Sequence, residues 1–258
     1  MAAALVTGAG ARIGKALALA LAERGHDVAV HYASSADGAE AVADEIRAMG
    51  RSAVTLQADL LDEAATEALV PRARDALGPL TVLVNNASIF EHDDIHSATR
   101  TSWDRHFDSN LRAPFVLTQK FAAQVPDPVS DTNGEPVAQG LVINMIDQRV
   151  RKLTPEFMTY TLAKVGLWTL TQTAAQALAP RVRVNGIGPG PTLRGGRQSE
   201  QHFARQRAAT ILERGTSPAE IVTALNYFLD SPGVTGQMLA VDGGQHLGWQ
   251  TPDVLGVE

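Results

Sequence analysis

Apolar and polar positions along this chain follow two periods that take turns. AAALVTG (2–8) is a short apolar run closed by glycine, and RIGKALALALAERG (12–25) places apolar residues at helical spacing up to Gly25. The same pair recurs: DVAVHY (27–32) reads as a strand, DGAEAVADEIRAMG (37–50) as a helix, and SAVTLQAD (52–59) as a strand. A third helix spans 63–78, with a bend expected at Pro71 because proline lacks the amide hydrogen. TVLVNNAS (81–88) is apolar throughout its first half, as a strand covered on both faces should be. A helix near 100–123, a strand at GLVINMI (140–146), a helix from about 157 to 179 and a sixth strand at RVRVNGI (181–187) complete the rhythm. Alternation of this kind predicts a single α/β domain, residues 1–258, built on a doubly wound parallel sheet.

Two stretches break the pattern. PDPVSDTNGEPVAQ (126–139) is polar and rich in turn residues and reads as a surface loop. GPGPTLRGGRQSEQHFARQR (188–207) opens on glycine and proline and then turns basic. It follows the sixth strand, where an open α/β sheet binds its ligands, so a substrate lid is expected over about 188–215. The bland reading of that segment is an ordinary surface loop.

Composition narrows the chemistry. The 258 residues carry a net charge of −6, which argues against nucleic acid or an anionic membrane as partner. Arg194, Arg197, Arg205 and Arg207 are too scattered to reverse that balance. The absence of cysteine removes disulfides, thiolate metal sites and cysteine nucleophiles together. The opening MAAALVTGAG has no basic leader, which points to the cytoplasm. EHDDIH (91–96) has histidines four apart among acids, but polar loop residues at a strand end are commoner than a metal site, and no metal is expected.

TGAGARIG (7–14) sits between the first strand and first helix, where a dinucleotide-binding turn belongs. Gly8 and Gly14 permit tight turning, and helix N–H groups would face a pyrophosphate. Arg12 stands where a third glycine is usual, either as a surface cation at the helix start or as a planar donor to phosphate or substrate. The second strand ends HYASS without an acid for the adenine ribose, and Ser34 and Ser35 can donate to a 2′-phosphate, which favours NADP(H), although Asp37 is near. Tyr160 and Lys164 are four apart on one helix face, and a nearby ammonium is expected to lower the phenol's pKa.

TGAGARIG, QADL with Asp59, NNAS, Asn110 in SNLRAPF, Tyr160-x-x-x-Lys164, GPGPT and VDGG, in this order, resemble the short-chain dehydrogenase/reductase family over nearly the whole chain. That resemblance implies a Rossmann-type fold, with NADPH/NADP+ lying along Gly8, Arg12, Ile13 and Gly14, past His31, Ser34 and Ser35. It continues the cofactor site through Asp59, Leu60, Asn86, Ala87 and Ser88 to Tyr160, Lys164, Pro189, Gly190 and Thr192. It also implies a proton relay in which Lys164 holds the nicotinamide ribose and Asn110 keeps a water, and a homodimer or homotetramer, with the tetramer expected here.

Most family members carry a serine where this chain has Asp147. A carboxylate would repel the oxyanion of a reduced ketone, whereas it suits a C=N bond whose nitrogen needs a proton. Asp147, Arg12 in the glycine turn, and Ser88 and Phe90 in SIF (88–90) are similar to the pteridine reductase subgroup. The subgroup implies a ring stacked on Phe90, contacted by Arg12, Ser88, Asp147 and Tyr160. One departure is Ser34, where the subgroup often has a basic residue. The expected function is NADPH-dependent reduction of a dihydropterin or dihydrofolate. The alternatives are a carbonyl reductase of 3-oxoacyl or sugar substrates and a non-catalytic NADP(H) sensor.

Overall fold

The computed structural model describes residues 2–196 and 198–251, so Arg197 lies outside the described residues. Strands β1 (Ala3–Val6), β2 (Asp27–Tyr32), β3 (Ala53–Gln57), β4 (Leu80–Asn85), β7 (Gly140–Met145), β8 (Val182–Pro189) and β9 (Met238–Val241) form one sheet. Its order is β3-β2-β1-β4-β7-β8-β9, and every pairing is parallel. Helices α1 (Arg12–Glu23), α2 (Ala36–Ala48) and α8 (Pro218–Asp230) supply one hydrophobic layer. The other comes from α3 (Glu63–Leu77), α5 (Ala113–Gln124) and α6 (Met158–Leu178).

The period of two in the strands explains the layering. Ala4 and Val6 join the first cluster with Leu17, Leu21 and Phe228, while Ala3 and Leu5 join the second with Leu117 and Phe121. All four residues of β1 are fully buried, so this strand has a core on both faces. Each buried leucine or phenylalanine in these layers contributes about 1.5–3 kcal/mol relative to exposure.

Four differences from the sequence reading have local causes. The helix expected over 100–123 is α4 (Arg100–Phe107) and α5 joined by a π turn at Asp108–Arg112, which alters the direction of Asn110 without ending the helix. Pro71 sits inside an unbroken α3. The loop at 126–139 contains a small antiparallel ribbon, β5 (Val129–Ser130) with β6 (Pro136–Val137), around a turn in which Asp131 accepts from Asn133 and Glu135 amides. Finally, α8 and β9 follow the last predicted strand. α8 is announced by a capping box, Ser217 with Glu220, that the sequence reading passed over. The expected lid segment carries α7 (Glu200–Ala208), whose Ser199 hydroxyl caps it through the His202 amide.

Strand order reverses between β1 and β4, and the crevice there is braced by one side chain. The Thr7 hydroxyl accepts from the Asn86 and Ala87 amides at 2.9 and 3.0 Å and donates to the Val84 carbonyl at 3.3 Å. The Asn86 amide group donates back to the Thr7 and Gly8 carbonyls. A Cβ on Gly14 would stand 2.2 Å from the Gly8 oxygen. Gly14→Ala must therefore push the turn off α1, at an expected cost of about 1–3 kcal/mol. Thermal unfolding should show the midpoint lowered by several degrees, on the order of 2–4 °C per kcal/mol for a chain of this size; an unchanged midpoint would contradict the packing described.

Candidate active site

The glycine turn between β1 and α1 is arranged to receive an anion. The first turn of α1 has no acidic residue, and its N-cap, Ala11, offers no side chain to occupy the free amides. Gly8 has φ +62° and Arg12 φ +56°, so both occupy the left-handed region, which Arg12 enters at a cost. His31 is buried beneath this turn. Its Nδ1 accepts from the Gly8 amide at 3.0 Å and its Nε2 lies 3.1 Å from the Ala58 carbonyl, so its side chain braces the turn from below. Burial lowers its pKa to about 4, and the neutral ring leaves Nδ1 free to accept.

The remaining residues expected along the cofactor lie around the same crevice. Ile13 and Gly14 start α1, and Ser34 and Ser35 are exposed just before α2. Asp59 is exposed and accepts from the Leu61 amide, with Leu60 buried beside it. Across the crevice, Pro189 ends β8, and the Thr192 hydroxyl bonds to Thr216 and to the Gly190 carbonyl. The Arg12 guanidinium donates to the carbonyls of Leu193 and Arg194, linking the glycine turn to the segment expected to act as a lid.

Asn110 reaches the site through the π turn. Its Nδ2 donates to the Ile89 carbonyl at 2.8 Å and its Oδ1 accepts the Ile89 amide at 3.0 Å. The fully buried amide thereby pins the residue between Ser88 and Phe90.

The proton-bearing groups meet at the start of α6. The Tyr160 hydroxyl donates to Asp147 Oδ2 at 3.0 Å, and the Arg149 amide donates to Asp147 Oδ1 at 2.8 Å. Arg149 thus holds Asp147 through its backbone, while the Arg151 guanidinium donates to the Met238 carbonyl. Burial raises the Asp147 carboxyl, and the Arg149 amide, Tyr160 hydroxyl and Lys164 oppose this only in part. Lys164 is buried, donates to the Met145 carbonyl at 2.7 Å, and has its pKa brought down to about 8 by burial.

The expectation that Lys164 makes the phenol more acidic is reversed in this geometry. Burial first, and then the charge and hydrogen bond of Asp147, push Tyr160 well above the ordinary phenol value. Lys164 stands 5.7 Å from the ring centroid, too far for its charge to outweigh an adjacent carboxylate. Tyr160 is consequently a phenol throughout the neutral range and a source of a proton.

The cleft in front of this pair has a volume of about 640 Å³ and is lined by Arg12, Phe90, Asp147, Phe157, Pro189 and Gly190, among others. Phe90 meets the Tyr160 ring edge-on at 4.7 Å and stacks on Phe157 at 4.3 Å. Phe157 was not singled out by the sequence. It has φ +56°, and the Arg149 guanidinium lies 5.1 Å from its ring centre. A three-residue offset from Tyr160 on a helix start was the available signal, but an aromatic there is ordinarily core. Ser88 acts on Tyr160 only as a minor influence opposing the rise of its pKa, and its hydroxyl lies 3.5 Å from the Ile89 carbonyl. Among the described residues no three His, Asp or Glu side chains gather as a metal site would need. Of the EHDDIH residues, His92 packs edge-on against Phe157, Asp93 is buried against Thr159, and Asp94 closes its own turn on Ser97.

Residues 2–204 match the short chain dehydrogenase family model. Among solved structures, the alternative dihydrofolate reductase 1 FolM from Brucella suis, in complex with NADP, is 45% identical with a TM-score of 0.91, covering 98% of each chain. FolM from Brucella canis, also complexed with NADP, is 43% identical with a TM-score of 0.89 and the same coverage. The 3-oxoacyl-[acyl-carrier-protein] reductase FabG of Staphylococcus aureus is 32% identical over 249 residues, covering 95% of this chain and 98% of its own. A parallel sheet reversing at a glycine turn, a tyrosine and lysine one helical turn apart, and a family match across most of the chain lead to one conclusion: this protein belongs to the short-chain dehydrogenase/reductase family.

Proposed function

We propose that this protein is an NADPH-dependent reductase of a C=N bond in a pteridine-like ring, such as a dihydropterin or dihydrofolate. One observation carries the reading: the carboxyl of Asp147 stands 3.0 Å from the Tyr160 hydroxyl at the head of the cleft. A carboxyl whose ionisation is raised by burial can hand a proton on, and a reduced C=N bond leaves a nitrogen that takes one. The aromatic face of Phe90 beside Tyr160 suits a flat ring, and two FolM structures that the chain resembles carry the name dihydrofolate reductase.

The cofactor preference rests on this chain's own residues. The open amides of α1 fit a pyrophosphate, and the exposed Ser34 and Ser35 offer donors to a 2′-phosphate. NADPH supplies a hydride to the ring carbon when bound. Tyr160 gives its hydroxyl proton to the ring nitrogen, and Asp147 returns a proton to the phenolate, taking its own from the cleft. Lys164, now bonded to the Met145 carbonyl, would hold the ribose as the family resemblance implies, Asn110 fixes the loop that presents Ser88 and Phe90, and the segment carrying α7 would close over the cleft with Arg12 as its tie. The family resemblance extends the proposal to a cytoplasmic homotetramer. FabG similarity favours a second reading, reduction of a 3-oxoacyl carbonyl. Asp147 in place of the carbonyl-polarising serine counts against it.

NADPH oxidation against a panel of dihydropterins, dihydrofolate and 3-oxoacyl ketones separates the two readings. Pterin turnover with NADPH favoured over NADH is expected; good ketone reduction with no pterin turnover sinks the proposal. Tyr160→Phe should lower kcat by about 10²–10⁴-fold with NADPH affinity nearly unchanged, because only the transferable proton is lost. Near-normal turnover by that variant would show that the proton comes from elsewhere. Because the Asp147 carboxyl is raised, it holds its proton to higher pH than usual, and kcat/KM should fall as pH rises through its ionisation. In Asp147→Ser that alkaline limb should disappear together with most pterin activity, whereas an unchanged pH profile would remove Asp147 from the relay.

A further inference from the structure

Behind Tyr160, away from the cleft, lies a polar cluster that the proton relay does not use. His106, on α4, is fully buried, and Asp93 and Thr159 are each 2% exposed. The hydrogen bonds form a directed chain. The Glu91 amide donates to His106 Nε2 at 3.1 Å, which leaves the ring proton on Nδ1. Nδ1 lies 2.6 Å from the Thr159 hydroxyl, and that hydroxyl donates to Asp93 Oδ2.

Asp93 also takes up the start of α6. Its Oδ1 accepts the Thr159 amide at 3.1 Å, and its carbonyl accepts the Met158 amide at 3.2 Å. The residue in the ordinary capping position, Phe157, makes no side-chain cap and sits in the left-handed region. The first turn of α6 therefore takes its cap from another element, the loop after β4, and places a carboxylate against the positive end of the helix dipole. Burial works against the charge of Asp93. The hydroxyl and amide of Thr159, the Ser102 hydroxyl and His106 outweigh it and hold the carboxyl below its usual range. Burial holds His106 below its own usual value, against the pull of Asp93 and Glu91.

The position of this cap matters more than its energy. Asp93 lies three residues after Phe90, and Thr159 immediately precedes Tyr160. The bond between them joins the loop that carries the aromatic wall to the helix that carries the phenol. The His106 ring meets the Tyr160 ring edge-on, with ring centres 6.0 Å apart. We propose that Asp93, with Thr159 and His106, is a positioning device that caps the catalytic helix from the neighbouring loop. It sets both the Tyr160–Asp147 contact and the edge-on packing of Phe90 against Tyr160.

The inference rests on Tyr160 as the proton donor and not on the pteridine ring, so turnover is followed with whichever substrate of the panel the unaltered protein reduces. Thr159→Val keeps the shape and the amide but breaks the chain. It should lower kcat by about ten- to a hundredfold, the size of effect a misplaced reacting group produces. Binding of NADPH, followed by fluorescence titration, should stay within about twofold of the unaltered protein, because the glycine turn is untouched. Thr159→Ser restores the hydroxyl and should recover most of the rate. A separate measurement needs no substrate: in Asp93→Ala, amide exchange should accelerate at Met158 and Thr159 and not at Leu167. The proposal is overturned if Thr159→Val keeps its rate, if Thr159→Ser is equally slow, or if rate and NADPH affinity fall together. Unchanged exchange in Asp93→Ala would overturn it as well. A change of preferred substrate in the unaltered protein would instead count against the pteridine reading alone.

Discussion

The Thr7 hydroxyl is the point on which the site depends, because it holds β1 and β4 together where the strand order reverses. A parallel sheet pairs its strands only up to their carboxyl ends, and beyond β1 and β4 the two chains run to opposite sides. Without a bond across the opening, the glycine turn and the NNAS segment would be independent loops. Thr7 accepts two amides from Asn86 and Ala87, and Asn86 returns two bonds to Thr7 and Gly8. The glycine turn is thereby held from one side by Asn86 and from below by His31. Buried polar groups of this kind are costly when unpaired, so the arrangement is geometrically unforgiving.

The same economy of position governs the chemistry. Asp147, Tyr160 and Lys164 are drawn from a strand end and one helix, and each is held by a backbone group or by another member of the set. Burial raises the two acids and lowers the base, so the three groups lie further from their ordinary ionisation than any would alone in water. The phenol keeps its proton because it is buried and because Asp147 is its hydrogen-bond partner. With serine at position 147 the raising influence of Asp147 would be gone, leaving burial opposed by the Arg149 guanidinium. A single side chain therefore changes what the tyrosine is able to do.

The sequence carried the sheet and much of the site in local signals. The wholly apolar β1, the apolar runs within β2, β4 and β7 and the helical spacing of α1 and α2 need only periodicity, because burial on two faces or one leaves a direct trace in residue type. The glycine turn and Tyr160-x-x-x-Lys164 depend on short spacings for the same reason. The π turn at Asn110 left no such trace, since it changes hydrogen-bond partners without changing composition. The ribbon of β5 and β6, closed by Asp131, and the continuity of α3 through Pro71 likewise left no mark in the apolar pattern.

By itself, then, the order of residues determined the alternation of strands and helices, the family motifs and the presence of an acid at position 147. These are properties of residues near one another along the chain. Only the tertiary structure decided the ionisation of that acid and of Tyr160, the stacking of Phe157 on Phe90, and the capping of α6 by Asp93. Asp93 and Thr159 are 66 residues apart. An electrostatic or capping interaction falls off over a few ångströms and is indifferent to separation along the chain, so it comes into being only once the fold has brought the two groups together.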